Sequence, residues 1–394
     1  MRFLFWWGLL LATFSAHAQI LVSGRLVDEQ QRPVPYASIA LADGRTGTAS
    51  NEAGEFSLKV PALPQQLTVL SIGYERATVA VAQAGPLPAS VVLRASAVQL
   101  PEVTVRANGE AEELVRRCYT KLLRHQGDVQ YGRAFYRQKT RQNGRYREFF
   151  DAFYDVKIMP RNMPSWVLGE ARYALTSGGL TMSNFSMFTR LLPLFQGDSA
   201  TVGKTLVPLR ADADRHYTFV LRQTLREQGR ELAVIDFARR PGAGPGLRGT
   251  LYIDPRTAAV FRIEQEMPVN SASFSNPSYR VEHMLLRLTT DFVAQDDSTT
   301  RVASVRNVMT VDATVKGFAD QTVISSYFLV YEYGPPAPGR KFPNTDPALV
   351  DLAQIKKRRY SPQFWLDNAV IKASPIEESI IQDFEGQRVF GKLQ

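Results

Sequence analysis

Turn-forming residues interrupt the chain at short, regular intervals from Gly24 to Arg94, and no other feature so narrows what a segment can fold into. Gly24-Arg25-Leu26-Val27-Asp28 is followed by a turn at Gln31-Arg32-Pro33. Val34 to Leu41 reads as a strand, and Asp43-Gly44 ends it. Gly47 to Ser50, Glu55 to Val60, Leu67 to Ile72 and Ser90 to Leu93 are further short β runs, with Asn51-Glu52-Ala53-Gly54 turning between the first two. Helices need longer uninterrupted stretches, so this pattern predicts a small antiparallel β-sandwich.

The order of these signals resembles the carboxypeptidase-regulatory-like domain, a transthyretin-like or Ig-like sandwich. The residues that carry the resemblance are the early Gly24, Pro33-Val34-Pro35-Tyr36-Ala37-Ser38-Ile39, Gly47-Thr48, Asn51-Glu52-Ala53-Gly54-Glu55-Phe56 and Gly73-Tyr74. The resemblance implies a fold and no reaction, because one fold hosts many functions.

With 394 residues the chain has room for a second, larger domain. Met1-Arg2, the apolar run Phe3 to Ala12 and Ala16-His17-Ala18 have the layout of a secretory signal cut after Ala18. The apolar run is shorter than the roughly 20 residues of a membrane span. Loss of Arg2 lowers the formal net charge from +9 to +8, a moderate surplus that names no partner. Cys118 is the single cysteine, so no internal disulfide is available; its apolar helical setting predicts a buried, inert thiol.

After the sandwich, Leu100-Pro101-Glu102-Val103-Thr104-Val105 resembles the strip that follows the same small domain in TonB-dependent receptors of Bacteroidetes-type bacteria. Such a receptor closes about 22 strands of about 9–11 residues each, which leaves too little chain here. From Glu110 the period changes. Leu114, Val115, Cys118, Tyr119 and Leu122 recur at helical spacing, with acidic residues at the start, basic ones at the end, and Gly127 as a stop. Asn143-Gly144 then predicts a hairpin between strands at 133–139 and 145–156. Helix and hairpin together resemble the second part of exported Bacteroidetes proteins that carry the small sandwich in front.

Residues 160–214 mix Met, Pro, Gly and aromatics and read as an irregular connection over the core. From His216 onward, successive hairpins predict an antiparallel meander. Within it, Gly249-Thr250-Leu251-Tyr252-Ile253-Asp254 with Thr257 and Val260-Phe261-Arg262-Ile263-Glu264 resembles the strand pair of LolA/LolB-like half-barrels, which implies a curved sheet around a helix or an apolar cavity. In the tail, Ser374, Pro375 and Glu377 form an N-capping signal, and Ile376, Ile380, Ile381 and Phe384 one helical face. Phe364-Trp365 is expected to anchor the tail to the sheet.

Chemistry-bearing patterns are scarce. The histidines beyond the leader, His125, His216 and His283, are far apart and begin no zinc-binding motif. There is no Gly-x-Ser-x-Gly elbow, and Gly242-Ala243-Gly244-Pro245-Gly246 opens no helix. Asp151 and Asp155 share one strand face and could in principle pair as in a glycosidase, but they read first as ordinary surface charge. Lys356-Lys357-Arg358-Arg359 reads as a solvated basic turn.

The expectation is therefore a mainly β protein: signal peptide 1–18, sandwich 19–95, linker 96–109, a larger α+β domain with a curved antiparallel sheet and few helices at 110–334, and a tail with a short helix at 335–394. It is expected to be exported to the periplasm or cell surface. It is read as a non-enzymatic binding or interaction protein for a hydrophobic, glycan or envelope ligand or a partner protein, with no catalytic, cofactor or metal residues and no nucleic acid. The alternatives are a purely structural envelope assembly factor and an unrecognised glycan hydrolase.

Overall fold

The computed structural model describes residues 20–99, 107–176, 184–191, 194–197, 207–227, 230–241, 246–268, 279–368 and 370–391. The leader-like segment, the Leu100 to Val105 strip and residues 242–245 of the glycine-rich loop lie outside them.

The protein is mainly β, with a small N-terminal sandwich before a larger antiparallel sheet and few helices. The sandwich uses β1 (Ile20–Asp28), β2 (Ser38–Leu41), β3 (Gly47–Ala49), β4 (Glu55–Val60), β5 (Gln65–Leu70), β6 (Ala77–Val81), β7 (Gly85–Pro86) and β8 (Val91–Leu93). One sheet orders β4-β1-β7 with β8 also on β1; the other orders β3-β2-β5-β6. Val22, Leu26, Ile39, Phe56, Leu67 and Val69 interlock between them. The pairing is not wholly antiparallel, because the chain crosses from β6 to the other sheet and lays β7 and β8 parallel to β1. The expected strand at Val34 also shortens to Ser38, since Tyr36 takes a left-handed backbone with φ 58°.

β9 (Ala97–Gln99) leaves the sandwich and joins the larger sheet, and α1 (Ala107–Arg124) follows. The sheet continues through β10 (Gln130–Gln142), β11 (Arg145–Met159) and β12 (Asn162–Leu175). Short helices α2 (Met187–Arg190) and α3 (Ala213–His216) come before β13 (Tyr217–Glu227), β14 (Arg230–Arg239), β15 (Arg248–Ile253), β16 (Val260–Pro268), β17 (Tyr279–Ala294), β18 (Thr300–Val315) and β19 (Phe318–Tyr333). The tail holds α4 (Asp351–Ile355), α5 (Pro362–Asp367) and α6 (Pro375–Gly386). Strand order is β12-β11-β10-β19-β18-β17-β16-β15-β14-β13-β9, eleven strands of which all but β9 belong to the larger domain. Asn143 and Gly144, at φ 47° and 80°, supply the positive-φ pair that closes the β10–β11 hairpin in two residues.

Both faces of this sheet are covered, so neighbouring residues on one strand enter different cores. Tyr136, Phe150 and Phe328 join the cluster under α1, where Leu114, Val115, Cys118 and Tyr119 pack. Phe135, Tyr327 and Leu329 face the sandwich and tail beside Ala49 and Ile371. Covering both faces explains why Ala134 to Thr140 are all buried, a run that half-exposed strands do not show.

One expectation is corrected here. The region after Pro160 is no irregular connection at its start, because Asn162–Leu175 pairs with β11 along most of its length. Pro164 obscured the strand, yet β12 is the sheet edge, where a residue without an N–H is tolerated.

Candidate functional site

The α1-bearing face of the sheet is occupied by the chain itself. α1, Phe195 and Leu209 and the Ile355 end of α4 fill its centre, while Phe185 closes a second cluster over β17 to β19. Two carboxylates are caught beneath these elements. Glu148 accepts hydrogen bonds from Thr140 Oγ1 at 2.5 Å, Tyr173 Oη at 2.8 Å and Gln138 Nε2 at 3.1 Å. Burial pushes its pKa up despite these donors. Asp351 is pushed up to about 6 by burial, against the opposing effect of Ser186 and the Arg190 charge. Raised carboxylates mark functional sites when they face a cleft, but neither of these lines an apolar cavity that opens beside α1.

That cavity lies at the C-terminal end of α1, where the ends of several hairpins converge, and has a volume of about 270 Å³. Leu122, Ile158, Met159, Val260, Phe292 and Val302 make its walls apolar. The β11–β12, β15–β16 and β17–β18 connections bring them together, and polar contacts at the rim tie the last two to α1 and to the start of β10. Lys121 Nζ donates to Thr257 O at 2.9 Å and also to Ser298 O; Gln130 Nε2 donates to Gln295 Oε1 at 2.5 Å. Asp296 accepts the Ser298 and Thr299 amides at 2.8 and 2.7 Å, and with the Thr299 hydroxyl these hold its pKa far below the carboxylate range. His125 Nδ1 lies 2.8 Å from Asp128 Oδ2 at the same rim. The arrangement is an apolar pocket with polar groups fixed at its opening, of a size just below the ~300–1,000 Å³ usual for small-molecule sites.

The residues weighed from sequence do not converge. His216 ends α3 and lies 3.2 Å from Asp212, and His283 is exposed on β17. Among the described residues no group of three or more His, Cys, Asp or Glu is placed to hold a metal ion. Asp151 and Asp155 do project to one face, but both are paired. Asp151 is fully buried, with Arg137 Nε at 2.7 Å and Arg172 Nη2 at 2.7 Å, while Asp155 pairs with Arg340. Cys118 is buried under α1, and burial pushes its thiol up to about 12, well outside the reactive range. Lys356 to Arg359 are exposed, with Arg358 Nη2 donating to Leu168 O at 2.8 Å.

Residues 22–105 match the family model of the CarboxypepD_reg-like domain. The matched span contains the turn-rich segment from Gly24 to Arg94. No curated protein matches the chain. Two solved structures are similar to it: a LolA-superfamily protein from Nitrosomonas europaea, 10% identical over 61% of this chain and 99% of its own, with a TM-score of 0.20, and MucB in complex with MucA(peri), 8% identical over 58% and 99%, with a TM-score of 0.18. At such TM-scores the superpositions carry no argument, and the functional reading rests on this chain's own geometry. Among the described residues no helix is long and apolar enough to cross a membrane.

Proposed function

We propose that this is an exported, non-catalytic cell-envelope protein that holds an apolar or amphiphilic ligand at the C-terminal end of α1, with the CarboxypepD_reg-like domain as an interaction or spacer module. The cavity at the end of α1 carries the reading: apolar walls would take a short hydrocarbon segment, and the fixed polar rim would hold its polar end. Export to the periplasm or cell surface rests on the signal layout of residues 1–18.

Purified protein is expected to release an amphiphile on organic extraction followed by mass spectrometry, and to enhance the emission of N-phenylnaphthylamine. Met159→Trp, which fills the cavity from its rim, is expected to abolish the enhancement with circular dichroism unchanged. Equal enhancement by wild type and variant would sink the assignment of the site. Export is checked separately by fractionation and N-terminal sequencing, where a mature terminus at Gln19 is expected.

A second reading has its own support. The face under α1 is filled by the chain's own segments, which suits a purely structural assembly factor. An empty extract together with no probe binding would favour it.

A further inference from the structure

Between the sandwich and the opposite face of the large sheet lies a second cavity, of about 340 Å³. β2, β3, β5 with the segment after it and the loop at 42–46 form one side, and residues of β14 and of β16 to β19 form the other. The loop is anchored in place: Thr46 bridges Glu332, and the Tyr333 amide donates to Arg45 O at 3.2 Å.

The charge on these walls is lopsided. Arg45, Arg76, Arg230, Arg262 and Arg301 line the cavity, and the single carboxylate among its lining residues is Asp291. Asp291 is already engaged, with Arg262 Nε at 2.5 Å and Arg306 Nη2 at 3.5 Å. None of Arg45, Arg76, Arg230 and Arg301 has an ion-pair partner among the described residues.

Arg301 is the most telling of them. Its guanidinium lies 4.2 Å from the centre of the Tyr333 ring, Nη2 donates to Gly44 O at 2.9 Å, and Nε is buried without a partner. Burial and the charge of Arg45 beside it both disfavour the cation, although Tyr333 acts the other way. Two like charges, Arg45 on the anchored loop and Arg301 on β18, oppose each other in the empty protein. A guanidinium stacked on an aromatic ring keeps its in-plane N–H groups for a planar or tetrahedral oxyanion. Tyr36, whose left-handed backbone is uncommon for a bulky residue, stands on the same wall, and strain of that kind gathers at ligand sites.

We propose that this seam binds a small molecule bearing a carboxylate or a phosphate, with its oxyanion between Arg45 and Arg301. The site borders the apolar cavity at the end of α1 and shares Phe292 and Arg301 with it, whereas Arg45 lines only the seam and Met159 only the apolar cavity, so Arg45→Gln and Met159→Trp test the two assignments separately.

The test uses isothermal titration and thermal-shift measurements on the mature chain with inorganic phosphate, glucose 1-phosphate, glucuronate and, as neutral control, glucose. Saturable binding of at least one anion, with none of glucose, is expected. Preference for glucuronate over the two phosphates would assign a carboxylate ligand, and the reverse a phosphate ligand. Arg45→Gln is expected to weaken that binding at least tenfold while leaving the melting temperature of the empty protein unchanged or higher, because it relieves repulsion on Arg301. Arg301→Gln is expected to weaken it likewise. No saturable binding of any anion, equal binding of glucose, or wild-type affinity in Arg45→Gln would overturn the proposal. So would a lower melting temperature of empty Arg45→Gln, which would make the pair a structural contact.

Discussion

Glu377 carries two tasks at once. Its carboxylate accepts the Ser374 amide at 3.0 Å, closing the capping box of α6, and also takes Arg137 Nη1 at 2.8 Å and Lys139 Nζ at 3.0 Å. Burial pushes its pKa up, but the two cations outweigh that and hold it at about 2, below the ordinary 4.5. Its stabilising contribution is therefore complete above pH 4.5 and is lost as pH falls toward about 2. Glu377→Ala would leave two buried cations short of a partner, and we expect a loss of about 3–5 kcal/mol at pH 7 in denaturant unfolding. Asp351 has the opposite sign. Raised by burial from 3.8 to about 6, it favours the folded state most below pH 3.8 and loses that contribution as pH rises through 6. Asp351→Asn is expected to stabilise the protein by about 1–3 kcal/mol at pH 8 and to change little at pH 4. Parallel unfolding curves for wild type and variant at the two pH values would contradict this.

At the level of elements, the glycine of the β15 motif has a steric role. Gly249 pairs with Gln265, and a Cβ there would sit 1.9 Å from Glu264 O, on backbone that cannot give way cheaply. Gly249→Ala is expected to cost about 1–3 kcal/mol through overpacking, read as a lower denaturation midpoint; an unchanged midpoint would show that the β15–β16 hairpin relaxes freely. α6 teaches a different lesson. Ile380 and Phe384 are buried as the helical period requires, yet Ile376 is 49% exposed and the next residue, Glu377, turns inward. An apolar face drawn from periodicity assumes an apolar surface to receive it, whereas Arg137 and Lys139 await this helix start. The same limitation hid β12, whose Pro164 is harmless only because no strand pairs beyond it.

Over the whole molecule, sandwich, sheet and tail are joined by contacts with no local origin in the chain. Lys139 bridges Glu52 of the sandwich to Glu377 of α6 at 3.0 Å each, Thr48 Oγ1 donates to Val370 O at 2.6 Å, and the Tyr36 and Tyr327 rings lie 5.0 Å apart. Ile72 of the sandwich packs against Leu225, Leu232 and Val234, and β9 extends the far edge of the sheet. Relative domain motion is the default where interfaces are small and polar; here apolar packing, ion pairs and strand pairing all cross the seam. We therefore expect one cooperative calorimetric transition at pH 7. Two resolved transitions would show that the sandwich and the large sheet are energetically separate.

The sequence by itself determined the sandwich, the amphipathic α1, the two-residue turn at Asn143-Gly144 and the capping box of α6. All of these depend on residues within a few positions of one another, where backbone preference and side-chain period act directly. Only the tertiary structure decided that both faces of the large sheet are covered, that Glu377 meets Arg137 and Lys139, and that four arginines with no ion pair among the described residues share a seam. Those contacts join residues hundreds of positions apart, and no local spacing encodes which surface a charge will face once the chain has closed.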